Sequence, residues 1–128
     1  MTFNELVYAR IVSIGMSPLG ISELTSIPPT TLYRFLDGGT MSVKYMERLC
    51  EKTGISLKVD GMEFFGEGMF KESILFAMRD SKVSSVSREI GCDASCLSAF
   101  LHCGRTLPNK YVFAIFELFG IKAGLRNE

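Results

Sequence analysis

Apolar residues recur at helical spacing in short segments of this chain, and glycine or proline separates one segment from the next. Thr2 and Glu5 form a capping box at the first segment, and Ser17 followed by Pro18 is typical of a helix start. Pro29 can open a helix but cannot lie inside one. The first half is therefore predicted to contain helices over residues 2–14, 18–25, 29–36 and 42–53.

The second half repeats this plan. Leu32, Phe35 and Leu36 match Leu97, Phe100 and Leu101, which lie 65 positions later. With one inserted residue near Arg105, Gly54-Ile55 matches Gly120-Ile121, 66 positions later. The corresponding helices of this second copy are predicted over residues 70–79, 83–90, 94–101 and 108–119, with Asp93 as the N-cap of the third.

A different pattern separates the two copies. Apolar and polar residues alternate from Leu57 to Phe64 around Asp60-Gly61, which predicts a β-hairpin. The hairpin could pack the copies together or pair with a second subunit. We therefore expect an all-α fold of two tandem four-helix units joined by a short β-hairpin. The expected division is 1–56 for the first unit, 57–69 for the linker and 70–128 for the second unit.

Composition and charge limit the kinds of binding partner that this chain is expected to have. The 128 residues are 47% hydrophobic and 22% charged, with 14 basic and 14 acidic side chains. Zero net charge argues against strong non-specific binding to nucleic acid, although one face can still be basic. There is no apolar run long enough for a membrane span and no signal-peptide pattern, so we expect a cytoplasmic protein without a membrane partner.

The cysteines raise the question of a metal site. Cys92, Cys96 and Cys103 cluster near His102, but the chain has no Cys-x-x-Cys pair and no second histidine. We expect packed thiols, no metal and no cofactor. The single histidine lacks an evident catalytic arrangement and no glycine-rich phosphate loop is present, so we do not expect an enzyme.

At Val86 the pattern Val-x-x-x-Ile-Gly-Cys-x-x-Ser-x-Leu-Ser resembles the helix-turn-helix of the phage repressor and Cro family. The segment from Ile21 to Gly38 resembles it too. Two departures are Ser26, where the family's turn usually has glycine, and the double proline at the start of the third helix. Together the resemblance covers most of residues 3–57 and 70–121, and it implies that the two units are repressor-like helix-turn-helix units in tandem.

The resemblance implies which side chains contact DNA. The base-reading positions in the first copy are Pro29, Thr30, Tyr33 and Arg34. Contacts with the DNA backbone are expected from Ser17, Thr40 and Lys44. The corresponding reading positions of the second copy are small: Ala94, Ser95, Ser98 and Ala99. Ser95, His102, Arg105 and Lys110 are its candidate DNA contacts. The second copy is therefore expected to be degenerate for base reading and to serve dimerisation, partner binding or non-specific contact with the DNA backbone. The alternative for His102 is capping of the last helix carbonyls.

We therefore expect a sequence-specific, repressor-like transcriptional regulator of phage or mobile-element type, acting on double-stranded DNA as a homodimer. The alternative is a protein-binding module, such as an antirepressor, an antitoxin or a phage inhibitor, with the partner on the second unit. Arg34, Lys44 and Arg48 on one face would favour DNA. Interruption of that face by Glu47 and Glu51 would favour a protein partner.

Overall fold

The computed structural model describes residues 2–126, and this part of the chain folds into eight helices and three strands. The elements are α1 Phe3–Ser13, α2 Pro18–Thr25, α3 Pro29–Leu36, α4 Val43–Thr53, β1 Ile55–Val59, β2 Met62–Phe64, α5 Met69–Ala77, α6 Val83–Ile90, α7 Ala94–His102, α8 Asn109–Phe119 and β3 Lys122–Leu125. The bounds of α2, α3 and α6 are those predicted from the sequence, and the other helices differ by one or two residues.

Local capping explains where several helices begin. Thr2 Oγ1 accepts a hydrogen bond from Glu5 N at 3.1 Å, and Glu5 Oε1 accepts one from Thr2 N at 3.2 Å, which confirms the capping box. The hydroxyl of Ser17 accepts from Gly20 N in the same way, at 3.0 Å. Asp93 occupies the N-cap of α7 as predicted, but its side chain makes no capping hydrogen bond there.

The prediction of an all-α fold is wrong, because the three strands form an antiparallel sheet in the order β2-β1-β3. The hairpin between β1 and β2 is present, with Asp60 and Gly61 both at positive φ in its turn. β3 pairs with the other edge of β1, from Ile55–Leu125 to Lys58–Lys122. Most of β1 is buried, so its backbone groups need partners on both sides, and β3 supplies the second set.

One apolar core runs through both halves of the described chain. Phe35 of α3 and Phe70 of α5 are its largest fully buried side chains. The rings of Phe3 and Phe70 meet at a centroid distance of 5.8 Å. Units of about 55 residues bury little surface alone, so a shared core is the expected way to stabilise two of them. The division at residues 56 and 69 stays a prediction. Within residues 2–126, no helix is both long and apolar enough to cross a membrane.

Candidate nucleic-acid interface

The same tight turn joins α2 to α3 and α6 to α7. Ser26 and Gly91, which are 65 positions apart, each adopt the left-handed conformation, with φ of 59° and 75°. The next residue then donates a backbone hydrogen bond into the preceding helix, from Ile27 N to Ser22 O at 3.2 Å and from Cys92 N to Ser87 O at 2.9 Å. Ser26 thus takes the conformation for which glycine is preferred. Each copy contains a helix-turn-helix pair, and we call α3 and α7 the reader helices.

The first reader helix has a buried side and an exposed side. Leu32 and Phe35 have no exposed surface, and they anchor α3 in the core. Pro29, Thr30, Tyr33 and Arg34, the four predicted base-reading residues, are all exposed, and 51% of Tyr33 is accessible. The outer face of α3 is therefore free to approach another molecule.

Asn4 of α1 fixes the end of this reader helix. Its Nδ2 donates hydrogen bonds to the carbonyls of Phe35, at 2.6 Å, and Gly39, at 3.0 Å. Gly39 N in turn donates to Arg34 O at 2.8 Å, and a Cβ at Gly39 would lie 2.7 Å from that oxygen. Asn4 is a positioning residue that the sequence analysis missed. No local pattern points to it, because its partners are more than thirty residues away.

Cationic side chains lie on α4, the helix that follows α3. Lys44 is exposed on α4, and Arg48 lies one helical turn further along. Arg48 Nη1 donates to Thr25 O, at the end of α2, at 3.4 Å, and its guanidinium lies 5.5 Å from the ring centroid of Tyr45. Ser17 and Thr40 are exposed as well, although the hydroxyl of Ser17 already accepts the capping bond of α2.

Two acids lie on the same side of α4 as these cations, because Glu47 and Glu51 follow Lys44 by three and seven residues. Glu47 Oε2 accepts a hydrogen bond from Phe70 N at 3.0 Å, so this carboxylate is engaged by α5. Burial raises the pKa of Glu47, against the effect of amide hydrogen bonds from Phe70 and Gly68. Glu51 is exposed one helical turn beyond Arg48, in a groove with Arg10 and Arg126. It interrupts the cationic face, which is the arrangement expected for a protein partner. Two further acids are exposed, Glu23 on α2 and Asp37 at the C-cap of α3.

The second reader helix presents a small, uncharged face. Ala94, Ser95 and Cys96 are exposed, whereas Ser98 and Ala99 are partly covered. His102 is exposed at the last position of α7. The carbonyl of Ala99 already accepts the amides of Cys103 and Arg105, so the backbone itself closes this helix end.

Thr40 and Lys110 are candidates for contact with the DNA backbone, one from each copy, and they line the same cleft. Thr40 follows α3, and Lys110 lies in the first turn of α8 with its ammonium 4.9 Å from the ring centroid of Tyr111. The cleft holds about 700 Å³, and Phe3 and Phe113 also line it. Beside it, Asn109 exchanges two hydrogen bonds with the backbone of Met41, at 3.0 and 2.6 Å. Arg105 is exposed in the loop between α7 and α8.

The thiols divide into two classes. Cys50 and Cys92 are buried, and burial raises the pKa of both. Cys96 and Cys103 are exposed. Over residues 2–126 the structure contains no group of three or more His, Cys, Asp or Glu side chains that could hold a metal ion. The absence of metal in the working protein stays a prediction.

The residues predicted to contact DNA thus lie on two reader helices, their flanks and the cleft that both copies line. Exposure and position are compatible with contact to a large partner, and the chemistry differs between the copies. The comparisons with family models, curated proteins and solved structures found no match for this chain.

Proposed function

We propose that this chain is a sequence-specific, repressor-like regulator of phage or mobile-element type that binds double-stranded DNA in the cytoplasm. The observation that carries the proposal is the exposed face of α3. Thr30, Tyr33 and Arg34 stand on a short helix that follows a tight turn, with its inner side in the core and its end held by Asn4. A short, rigid helix with polar side chains on its outer face can enter the major groove.

The side chains of this face suit the edges of base pairs. Arg34 can donate two hydrogen bonds to O6 and N7 of a guanine, the commonest specific contact in the major groove. Thr30 can donate to a base and contact a thymine methyl group with its own methyl. Ser17, Thr40 and Lys44 would then contact phosphates on either side, which sets the position of the helix in the groove.

The engagement of Glu47 by α5 limits its repulsion of DNA phosphates near Lys44. Its carboxylate would repel phosphates if it were free beside Lys44, and its hydrogen bond to Phe70 N holds it in contact with another helix. The exposed acids Glu23 and Asp37 are expected to weaken binding to arbitrary sequences. Binding would therefore depend on base contacts more than on charge.

The test is selection of a duplex from a random-sequence library, followed by gel shift at low and moderate salt. We expect a selected site to bind the intact chain, and Arg34→Ala to weaken that binding. Lys52→Ala removes an exposed cation from the groove that holds Glu51, on the far end of α4, and is the matched control. Equal loss with both variants would indicate only a charge effect and would contradict base reading by α3.

A second candidate function is a protein-binding module, such as an antirepressor, an antitoxin or a phage inhibitor. The small, uncharged face of α7 favours it, because Ser95, Ser98 and Ala99 offer no two-pronged base contact. The partner would dock on the second copy. Failure of the intact chain to bind any member of the library at low salt would favour this function over DNA binding.

A further inference from the structure

The pairing of β1 with β3 is symmetric with respect to the sequence repeat. α4 and α8 lie 66 positions apart, and each leads through a glycine into a strand, β1 or β3. Leu57 and Ala123 are separated by the same 66 positions and face each other in the sheet. The equivalent of Ser56 in the other copy is Lys122, and the equivalent of Gly124 is Lys58. The pair Ser56–Gly124 is therefore equivalent to the pair Lys58–Lys122, which is also in the sheet. An antiparallel pair of equivalent strands with this register has a local two-fold axis at its central pair.

Contacts far from the sheet follow the same relation. Phe3 is the first residue of α1 and Phe70 is the second residue of α5, and their ring centroids lie 5.8 Å apart. Phe3 contacts Phe113 of α8 at a centroid distance of 5.6 Å. The equivalent of Phe113, 66 positions earlier, is Glu47, which is hydrogen-bonded to Phe70. The first helix of each copy therefore contacts the same position on the fourth helix of the other copy.

The segment that follows α3 also contacts the second copy, at the start of α8. Met41 follows α3, and its backbone is hydrogen-bonded to Asn109 at the start of α8. The equivalent residues in the other copy are Leu107 and Val43, and both are buried. These contacts and the symmetric strand register are those of a two-fold related pair of copies within one chain.

We infer that a single chain supplies both reader helices of a two-half-site DNA complex, so that one molecule occupies a site that otherwise needs a dimer. This inference rests on the proposed DNA binding. Two-fold related reader helices contact inverted half-sites in neighbouring major grooves. The internal axis relates α3 to α7, and the inference requires the two helices to lie about 34 Å apart, the spacing of neighbouring major grooves on one side of the duplex. The homodimer expected from the sequence is then unnecessary.

The two half-sites would not be equivalent. α3 offers Thr30, Tyr33 and Arg34, whereas the equivalent positions of α7 are Ser95, Ser98 and Ala99. Sequence preference is thus expected on the half contacted by α3. Randomising that half of the selected site should weaken binding at least about tenfold, and randomising the other half less than about threefold.

The experiment measures stoichiometry and orientation on one selected duplex. Cross-linked complexes are first weighed by native mass spectrometry. An iron chelate that cleaves DNA locally is then attached to Cys103, at the end of α7, in a Cys96→Ser variant. A second protein, Asp37→Cys with both Cys96→Ser and Cys103→Ser, carries the chelate at the end of α3. The variant with both serines and no added cysteine is the control.

The inference expects one chain per duplex, with cleavage from Cys103 in one half of the site and from position 37 in the other half. Two chains per duplex, with each label cutting both halves symmetrically, would overturn the inference and leave the proposed function standing. One chain with both labels in the same half would also overturn it. Absence of binding to every duplex at low salt would overturn the proposed function and the inference together.

Discussion

The carboxylate of Glu47 in α4 accepts a hydrogen bond from the backbone amide of Phe70, at 3.0 Å, at the first turn of α5. The N-cap residue of α5 is Gly68, which has no side chain to satisfy the free amides of a helix start. A residue from the other copy of the repeat therefore does what Thr2 does locally for α1. The contact joins the copies and places a carboxylate in a half-buried position.

The stability of the fold is expected to depend on pH through Glu47. Burial raises the pKa of this carboxyl above its ordinary value, so the folded protein keeps the proton to higher pH than the unfolded chain does. The free energy of unfolding then falls as pH rises from the ordinary carboxyl pKa toward neutrality. Glu47→Gln keeps an oxygen for Phe70 N without the charge. We expect it to match the wild type near about pH 4 and to be more stable near about pH 7 in urea unfolding.

Glu47→Ala is the control for that measurement. It removes the acceptor as well as the charge, so the free amides at the start of α5 lose their partner and the cost is about 1 kcal/mol at low pH. A constant difference between wild type and Glu47→Gln at both pH values would show that Glu47 does not titrate in this range.

The two turns of the helix-turn-helix pairs offer opposite substitutions at equivalent positions. Ser26 has a φ of 59°, which costs a residue with a Cβ more than it costs glycine, whereas Gly91 has no atom near the place of an added Cβ. We expect Ser26→Gly to raise the free energy of unfolding by about 0.5–1 kcal/mol. We expect Gly91→Ser to lower it by about 1 kcal/mol. Thermal melts of the two variants check both signs, and a loss with Ser26→Gly would mean that its side chain is needed.

The helices could be predicted from the sequence because their signals are local. Pro18 and Pro29 mark where α2 and α3 begin, and Ser42 and Gly54 cap the two ends of α4. β3 was missed because its sequence, Lys-Ala-Gly-Leu, has little strand propensity, and its partner β1 lies more than sixty residues earlier. The alignment of Gly54-Ile55 with Gly120-Ile121 carried the signal, since a strand that follows one glycine implies a strand after the other.

The candidate site divides in the same way. Helical periodicity is enough to place Thr30, Tyr33 and Arg34 on the outer face of α3, and the structure exposes all three. Helical periodicity could not identify Asn4, because the carbonyls that Asn4 binds come near it only in the folded chain. Periodicity also could not predict the cleft that Thr40 and Lys110 line, because the packing of the two copies brings these residues together.

Among the polar residues that join the two copies, Asn109 is expected to lose the most stability on substitution. It is buried, and it satisfies both the amide and the carbonyl of Met41. Asn109→Ala leaves two backbone groups without partners, at a cost of about 2–4 kcal/mol in urea unfolding. The neighbouring exposed Lys110 is the control, and Lys110→Ala should cost less than about 0.5 kcal/mol. Similar values for the two variants would show that water replaces the Asn109 side chain.

Thiol reactivity checks the burial of the four cysteines. Cys96 and Cys103 are exposed, whereas Cys50 and Cys92 are buried with raised pKa values. Since the thiolate is the reactive form, we expect two thiols to react rapidly with an aromatic disulfide reagent in the native protein and all four after unfolding. Cys96→Ser and Cys103→Ser should each remove one rapid equivalent. Rapid reaction of Cys92 would mean that the start of α7 opens readily.

The last prediction separates contact with DNA bases from contact with the DNA backbone. Arg34 lies on the exposed face of α3, and Arg105 lies in the exposed loop after α7. If Arg34 contacts guanine, Arg34→Ala should cost about 1–3 kcal/mol on the selected site and relax preference at one base pair. Arg105→Ala should weaken binding to all sequences alike and reduce the slope of log affinity against log salt by about one.

Both substitutions are at the surface, so neither should change the thermal melt, and any loss of binding reports on contact with DNA. Ser95→Ala is the matched change on α7, and it should leave base preference unaltered because one hydroxyl makes at most a weak base contact. Preference that survives Arg34→Ala but disappears with Ser95→Ala would reverse the roles of the two reader helices. Since α3 and α7 differ most in whether they offer a guanidinium to a base edge, the comparison of these variants tests the feature on which their division of labour depends.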